Sequence, residues 1–247
     1  MNTSPIQRIG VVGAGAMGQG IVQVMALAGL NVSLFDVRPG AASAAQSALA
    51  TTLTMLQSKG RIGAQAADDV LALVQVVDRL VALNDCALVI EAIVENLEAK
   101  QQLFRQLDEL LDESTLLASN TSSLSITALA SVCKHPERVA GLHFFNPVPL
   151  MRLVEVIGGI ATQPEVLERL RALVQTIGHY PANSTDSPGF IVNHAGRAYG
   201  TEALRMLSEG VAAPALIDTV LRDGAGFRMG PFELLDLIGL DVSLPVM

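Results

Sequence analysis

The sequence predicts an α/β fold: a doubly wound, mostly parallel sheet with helices on both faces, followed by a smaller all-helical domain. Three observations carry this. Strand-like apolar runs alternate with helix-like segments from Ile6 to about residue 180, the pattern of a parallel sheet crossed by helices. Everything after Pro188 reads as helical. Half of the 247 residues are hydrophobic but only 4% are aromatic. The core must therefore come from Ala, Val, Leu, Ile and Met, which suits helices packed on strands buried on both faces. The expected domains are 1–186 and 187–247. The second is small for an independent core: the expectation is that it packs firmly on the first domain, self-associates, or is an incomplete part of something longer.

The elements follow in order. Ile6 to Val12 is a short buried strand, and Met17 to Ala28 a helix closed by Gly29. Asn31 to Phe35 is the second strand, with Asp36 at its end. Pro39-Gly40 breaks the chain before the Ala- and Leu-rich stretch Ala41 to Ser58, of high helix propensity. Lys59-Gly60-Arg61 breaks it again. A helix is expected over Ala64 to Ala72 and a short strand over Val74 to Arg79. Ala87 to Ala92 is a strong strand. Leu97 to Leu111 is amphipathic, with Leu97, Leu103, Phe104, Leu107, Leu110 and Leu111 on its apolar side. Leu116 to Ser119 is a strand ending in Asn120-Thr121-Ser122-Ser123. Ile126 to Val132 is helical, and Val139 to Phe144 and Arg152 to Ile157 are strands. Pro164 opens a helix that runs to Ile177. After Asp186-Ser187-Pro188-Gly189, helices are expected over Phe190 to Gly210, Ala213 to Leu221 and Phe232 to Leu237.

The turn after the first strand reads Gly13-Ala14-Gly15-Ala16-Met17-Gly18. The G-x-G-x-x-G spacing is weak alone, but here it follows a strand and opens a helix, the context of a Rossmann-type dinucleotide site. Gly13 permits the tight turn, Gly15 lets the backbone approach a pyrophosphate, and Gly18 lets the helix pack on the strand. The N–H groups around Ala16 and Met17 then face the phosphates. Asp36 lies 21 residues after Gly15, placed to accept the ribose hydroxyls of an adenosine and to repel a 2′-phosphate. This favours NAD over NADP, although Arg38 could face a 2′-phosphate; FAD and a glycine-rich turn with no ligand are the other readings. A long uncharged run, Ile9 to Phe35, is broken by six glycines and by Gln19, Gln23 and Asn31. It reads as strand, turn and helix rather than as a membrane span. The start lacks a basic region before a cleavable apolar segment, and the chain is read as cytoplasmic.

His143 ends one strand and Glu155 lies inside the next. Histidine is a good proton acceptor near neutral pH, and a buried strand carboxylate needs a partner. A His–Glu pair beside a dinucleotide suits the general base of an alcohol oxidation. The plainer alternatives are a core histidine beside two phenylalanines and a glutamate paired with an arginine elsewhere. Ser122, after a strand end, and Asn193, in the apolar start of the post-Pro188 helix, are softer candidates; from the residues alone, turn capping and helix decoration are the favoured explanations. The four histidines show no H-x-x-x-H or H-E-x-x-H spacing, and no G-x-S-x-G elbow occurs. No metal site is expected. Cys86 and Cys133 have neither metal nor redox spacing and suit a reducing compartment, although one disulfide is compatible with the count. A net charge of −8 argues against an extended nucleic-acid surface.

Several stretches together resemble the NAD-dependent 3-hydroxyacyl-CoA dehydrogenase family, which includes the 3-hydroxybutyryl-CoA dehydrogenases. They are GVVGAGAMGQGI (10–21), IEAIVENLEAKQQLF (90–104), SNTSSLSI (119–126), ERVAGLHFFNPVPLMRLVEVI (137–157), DSPGFIVN (186–193) and GFRMGPFELLDLIGLD (226–241). The resemblance implies reversible oxidation of the 3-hydroxyl of a coenzyme A thioester to a ketone with NAD. It makes His143 the catalytic base and Glu155 its orienting carboxylate. Ser122 becomes a contact to the substrate oxygen, and Asn193 a neighbour of substrate and histidine. Asp36 becomes the adenosine-ribose ligand. Glu95, Lys100 and Asn120 join the cofactor site, and Lys59 and Arg61 form a basic helical segment that approaches the coenzyme A phosphates. A homodimer through the helical domain is implied where that domain is complete. Some relatives in phenylacetate degradation carry a second helical domain and act on 3-hydroxyadipyl-CoA; the chain resembles their first half in general sequence rather than in a diagnostic residue. It departs from the usual pattern at His194, where Arg is common, and at Arg228, where Pro is common. Two rival readings are a dehydrogenase of a free hydroxy acid and a non-catalytic NAD-binding relative.

Overall fold

The computed structural model describes residues 6–62 and 67–240. The chain divides into two compact units, Met1–Ser187 and Pro188–Met247. In the first, the described residues form one sheet from β1 (Arg8–Val12), β2 (Asn31–Phe35), β3 (Val74–Val76), β4 (Leu88–Glu91), β5 (Leu116–Ser119), β6 (Val139–Phe144), β7 (Leu153–Gly158) and β8 (Tyr180–Thr185). Their spatial order is β3-β2-β1-β4-β5-β6-β7-β8. All neighbours are parallel except β6 and β7, which run antiparallel. The strands are added outward first on one side of β1 and then on the other. This change of direction leaves a crevice at the carboxyl ends of β1 and β4, where sheets of this kind take ligands.

The helices of this unit are α1 (Ala16–Leu27), α2 (Ala41–Ser58), α3 (Ala67–Ala72), α4 (Leu97–Leu110), α5 (Ile126–Ala130) and α6 (Pro164–Thr176). The core is aliphatic, as the composition requires: Ile9, Val11, Ile21, Met25, Leu34, Leu53, Leu88 and Ile90 are among its fully buried side chains. The second unit holds α7 (Val192–Ser208), α8 (Pro214–Thr219) and α9 (Pro231–Ile238). There the Asp218 carboxylate caps α9 by accepting from the N–H groups of Phe232 at 2.9 Å and Glu233 at 3.2 Å. The Tyr199 hydroxyl donates to the Met229 carbonyl at 2.8 Å.

The structure differs from expectation in four places. The strand expected over Val74 to Arg79 stops at Val76, and Leu80–Leu83 is a short 3-10 turn. β8 was not foreseen, because its sequence, YPANST, has no apolar alternation. It is an edge strand, where a polar face and a proline are tolerated. Lys59 and Arg61 are not in a helix: α2 ends at Ser58 and Gly60, at φ +62°, turns the chain away. On α4 the buried stripe is Lys100, Leu103, Phe104, Leu107 and Asp108, while Leu97 and Leu110 are exposed. The stripe follows the i, i+3, i+4 rule but includes two charged residues, each paired: Lys100 with Glu91, and Asp108 with the buried Arg138 at 2.8 Å. Of the expected helix at Ala64 to Ala72, residues 64–66 lie outside the described residues, as does Asp241 of the last matched stretch.

Both cysteines are free thiols, and burial pushes Cys86 up to about 11 and Cys133 up to about 12. Among the described residues no helix is long and apolar enough to cross a membrane, and no group of three His, Cys, Asp or Glu could hold a metal.

Candidate active site

Strand register brings the glycine turn, Asp36, Asn120 and His143 to one edge of the sheet. Phe35, Val12, Glu91, Ser119 and Gly141 are successive partners across β2, β1, β4, β5 and β6. The glycine turn, Asp36, Asn120 and His143 all lie just beyond that row, at the carboxyl ends of their strands. The pleat puts residues i and i+2 on one face, so Glu91, Ser119, Gly141 and His143 share a face of the sheet. Glu155 joins them as the direct partner of His143 across β6 and β7.

The turn itself is tightly specified. Gly13 sits at φ +109°, and a Cβ there would lie 2.4 Å from the Ala92 carbonyl oxygen. A Cβ on Gly18 would lie 1.8 Å from the Gly13 oxygen. At Gly15, by contrast, a Cβ would meet no protein atom within 4 Å. That glycine is not required by packing; the open space beside it fits the close approach of a phosphate. Gly15 is also the N-cap of α1, and it has no side chain with which to occupy the first-turn N–H groups. Ala16 is exposed and Met17 half-buried at the same helix start. The residues present therefore fit a dinucleotide pyrophosphate.

Asp36 stands at the end of β2. Its Oδ2 accepts from the Ala14 N–H at 2.7 Å and its Oδ1 from the Arg38 N–H at 2.8 Å. The Arg38 guanidinium adds Nε to Oδ1 at 3.0 Å and Nη2 to Oδ2 at 2.9 Å. The guanidinium, ahead of the backbone donors, holds the Asp36 carboxyl down at about 2.

His143 and Glu155 are in contact. The Nδ1–H of His143 donates to Glu155 Oε2 at 2.7 Å, and the two side chains are 6% and 0% exposed. A carboxylate only accepts, so this bond fixes the proton on Nδ1 and makes Nε2 the acceptor nitrogen. The Phe145 ring packs on the imidazole, with centroids 4.4 Å apart. Asn120 ties β5 to β6 beside the dyad: its Oδ1 accepts from the Phe144 N–H at 2.9 Å.

A second buried ion pair lies on the same face. Lys100 Nζ donates to Glu91 Oε1 at 2.5 Å, with both side chains 1% exposed or less. Glu91 also accepts from the Ser119 hydroxyl at 2.6 Å and the Ile93 N–H at 2.7 Å. Lys100 reaches Glu95 Oε2 at 3.3 Å. Glu95 Oε1 in turn gathers the serine loop, accepting from the Thr121 hydroxyl at 2.6 Å, the Ser122 N–H at 2.9 Å, the Ser122 hydroxyl at 3.3 Å and both donors of Ser123. Burial would raise the Glu95 carboxyl, but the Thr121 hydroxyl, Lys100 and the Ser122 N–H outweigh it and lower it below its ordinary value. Glu91, Ser119 and Thr121 were not singled out in the sequence. The signal was present: Leu88-Val89-Ile90-Glu91 ends an apolar strand in a carboxylate, the same anomaly that marked Glu155.

Lys59 and Arg61 are exposed, one capping α2 and the other two residues beyond. Asn193 lies half-buried in the first turn of α7, in the second unit.

Comparison with known proteins identifies the family. Residues 8–187 match the model of the 3-hydroxyacyl-CoA dehydrogenase NAD binding domain, and residues 189–247 match that of the C-terminal domain. The chain belongs to the 3-hydroxyacyl-CoA dehydrogenase family. Its first unit is the family's NAD-binding domain. Among its relatives is a 3-hydroxyadipyl-CoA dehydrogenase of Escherichia coli, 48% identical over 98% of this chain and 51% of that protein. A 3-hydroxybutyryl-CoA dehydrogenase of Clostridioides difficile is 42% identical over 97% of this chain and 85% of that one. A crystal structure of 3-hydroxybutyryl-CoA dehydrogenase from E. coli superposes with a TM-score of 0.95 at 48% identity, covering 98% of this chain and 52% of the other. The chain thus spans about half the length of the E. coli relatives it matches.

Proposed function

We propose that this dehydrogenase-family chain oxidises the 3-hydroxyl of a 3-hydroxyacyl-CoA thioester to the ketone, reversibly, with NAD. The observation that supports this best is the 2.7 Å bond from His143 to Glu155 at the sheet edge that carries the glycine turn. With Nδ1–H committed to Glu155, Nε2 takes the proton of the substrate hydroxyl. Glu155, buried and adjacent, offsets the charge that the imidazole then gains. In reduction the same nitrogen returns the proton. Bound NAD supplies the two-electron acceptor. Ser122, held by Glu95, hydrogen-bonds the substrate oxygen, and the family resemblance adds Asn193 to that role. It also adds Lys59 and Arg61 as partners of the coenzyme A phosphates, and a homodimer through the helical domain where that domain is complete. Asn120 serves the cofactor side by fixing the backbone at Phe144.

The name of the E. coli relative, a 3-hydroxyadipyl-CoA dehydrogenase, supports a dicarboxylic acyl chain as the finer reading. The test is NADH oxidation with acetoacetyl-CoA, 3-ketoadipyl-CoA and free acetoacetate. Turnover of the thioesters but not the free acid is expected. His143→Gln should abolish most of it, roughly 100-fold or more, while NADH binding by fluorescence stays near wild type. Turnover of free acetoacetate at the thioester rate would overturn the substrate class. Full activity in His143→Gln would overturn the role of the dyad.

A further inference from the structure

A carboxylate offers about four lone-pair sites for hydrogen bonds, and in Asp36 all four are taken. Oδ1 accepts from the Arg38 N–H and Nε, and Oδ2 from the Ala14 N–H and Arg38 Nη2, at 2.7–3.0 Å. The two backbone donors are set by the glycine turn and by the chain leaving β2. The two guanidinium donors are not fixed in this way: the Arg38 side chain is 66% exposed, whereas the carboxylate it covers is 5% exposed. A ribose diol binds a carboxylate by donating its hydroxyls. While the fork is closed, it must compete with the two guanidinium donors for the same oxygens.

We propose that Arg38 is a latch on the ribose acceptor: the adenosine ribose of NAD engages Asp36 only by displacing the guanidinium, so Arg38 weakens NAD binding. The proposal rests on Asp36 as the ribose acceptor of the NAD-binding domain. An exposed ion pair is cheap to open, so the latch trims affinity rather than blocking the site. The released guanidinium stays next to the ribose, on the side where a 2′-phosphate would lie. The same residue therefore narrows the preference for NAD over NADP.

The sign of the effect distinguishes this from general electrostatics. Removing a cation near a polyanionic ligand ordinarily weakens binding; removing a latch strengthens it. The test measures ADP-ribose by calorimetry and NADH and NADPH by fluorescence, on the wild-type chain, Arg38→Ala and Arg38→Lys. Arg38→Ala should bind ADP-ribose and NADH roughly two- to fivefold more tightly and NADPH more weakly. Arg38→Lys, which lacks the fork, should fall between. Unchanged or weaker NADH binding in Arg38→Ala overturns the latch and leaves the nucleotide site standing. A wild-type chain that binds neither NADH nor ADP-ribose overturns the site and the latch together.

Discussion

The Glu91–Lys100 pair allows a prediction whose size follows from burial. Lys100→Met keeps the length and volume of the side chain and removes its charge. Glu91, fully buried, then loses the cation 2.5 Å from Oε1 and keeps only the Ser119 hydroxyl and the Ile93 N–H. Deleting one partner of a buried pair costs about 3–5 kcal/mol. The two remaining donors to Glu91 place this case near the lower end, about 3 kcal/mol. For a domain of this size that is roughly 6–12 °C in Tm. The chain has no Trp, so the assay is circular dichroism at 222 nm, by heat and by urea. Glu91→Gln/Lys100→Met removes both charges and should regain part of the loss, giving a coupling of roughly 1–3 kcal/mol in the double-mutant cycle. If Lys100→Met lies within about 0.5 kcal/mol of wild type, or the cycle is additive, the pair does not act as the buried ion pair described above.

Other outcomes follow from the glycine turn and from Asp36. Gly15→Ala meets open space and should fold with near-wild-type stability, yet lose roughly ten- to hundredfold in NADH affinity, the cost of a charged hydrogen bond at about 1.5–3 kcal/mol. Gly18→Ala, whose Cβ would fall 1.8 Å from the Gly13 oxygen, should instead destabilise the fold itself by about 3 kcal/mol or more, read by the same dichroism melts. The lowered Asp36 carboxyl gives a pH signature. Its contribution to stability is fully present above its unfolded value of about 4 and is lost as the pH falls toward its folded value of about 2. The stability gap between wild type and Asp36→Asn should therefore close across that window in acid denaturation; a gap unchanged down to pH ~2 would contradict the ion pair with Arg38. Asp36→Asn should also shift the NADH-to-NADPH affinity ratio toward NADPH, measured by fluorescence titration.

What the sequence disclosed, and what it withheld, divides along a physical line. Element positions were legible because they are local. The period of apolar residues marked β1, β4, α1 and α4, and the spacing from Gly13 to Gly18 followed by Asp36 described a ligand site within a single βαβ unit. β8 was not legible, because an edge strand buries little and its YPANST sequence carries no alternation. Pairings between distant side chains were legible only as residue types. His143 and Glu155 stood out separately, but their contact depends on the β6–β7 register, which the eight residues between the two strands do not spell out. Lys100 shows the same limit from the other side. Resemblance assigned it to the cofactor, whereas its burial ties it first to Glu91 and, through Glu95, to the serine loop. Arg38 was read as a group that could face a 2′-phosphate, and only the geometry reveals that its first partner is Asp36. Yet one signal was general and was used only once. A carboxylate inside or ending an apolar strand run must find a cation or several donors, since its burial alone is prohibitively costly. LVIE and LVEVI both carry such a carboxylate. In each case the carboxylate is paired, Glu91 with Lys100 of α4 and Glu155 with His143 of β6, so the cost of burying a charge in the sheet is linked to fixing one specific partner in place.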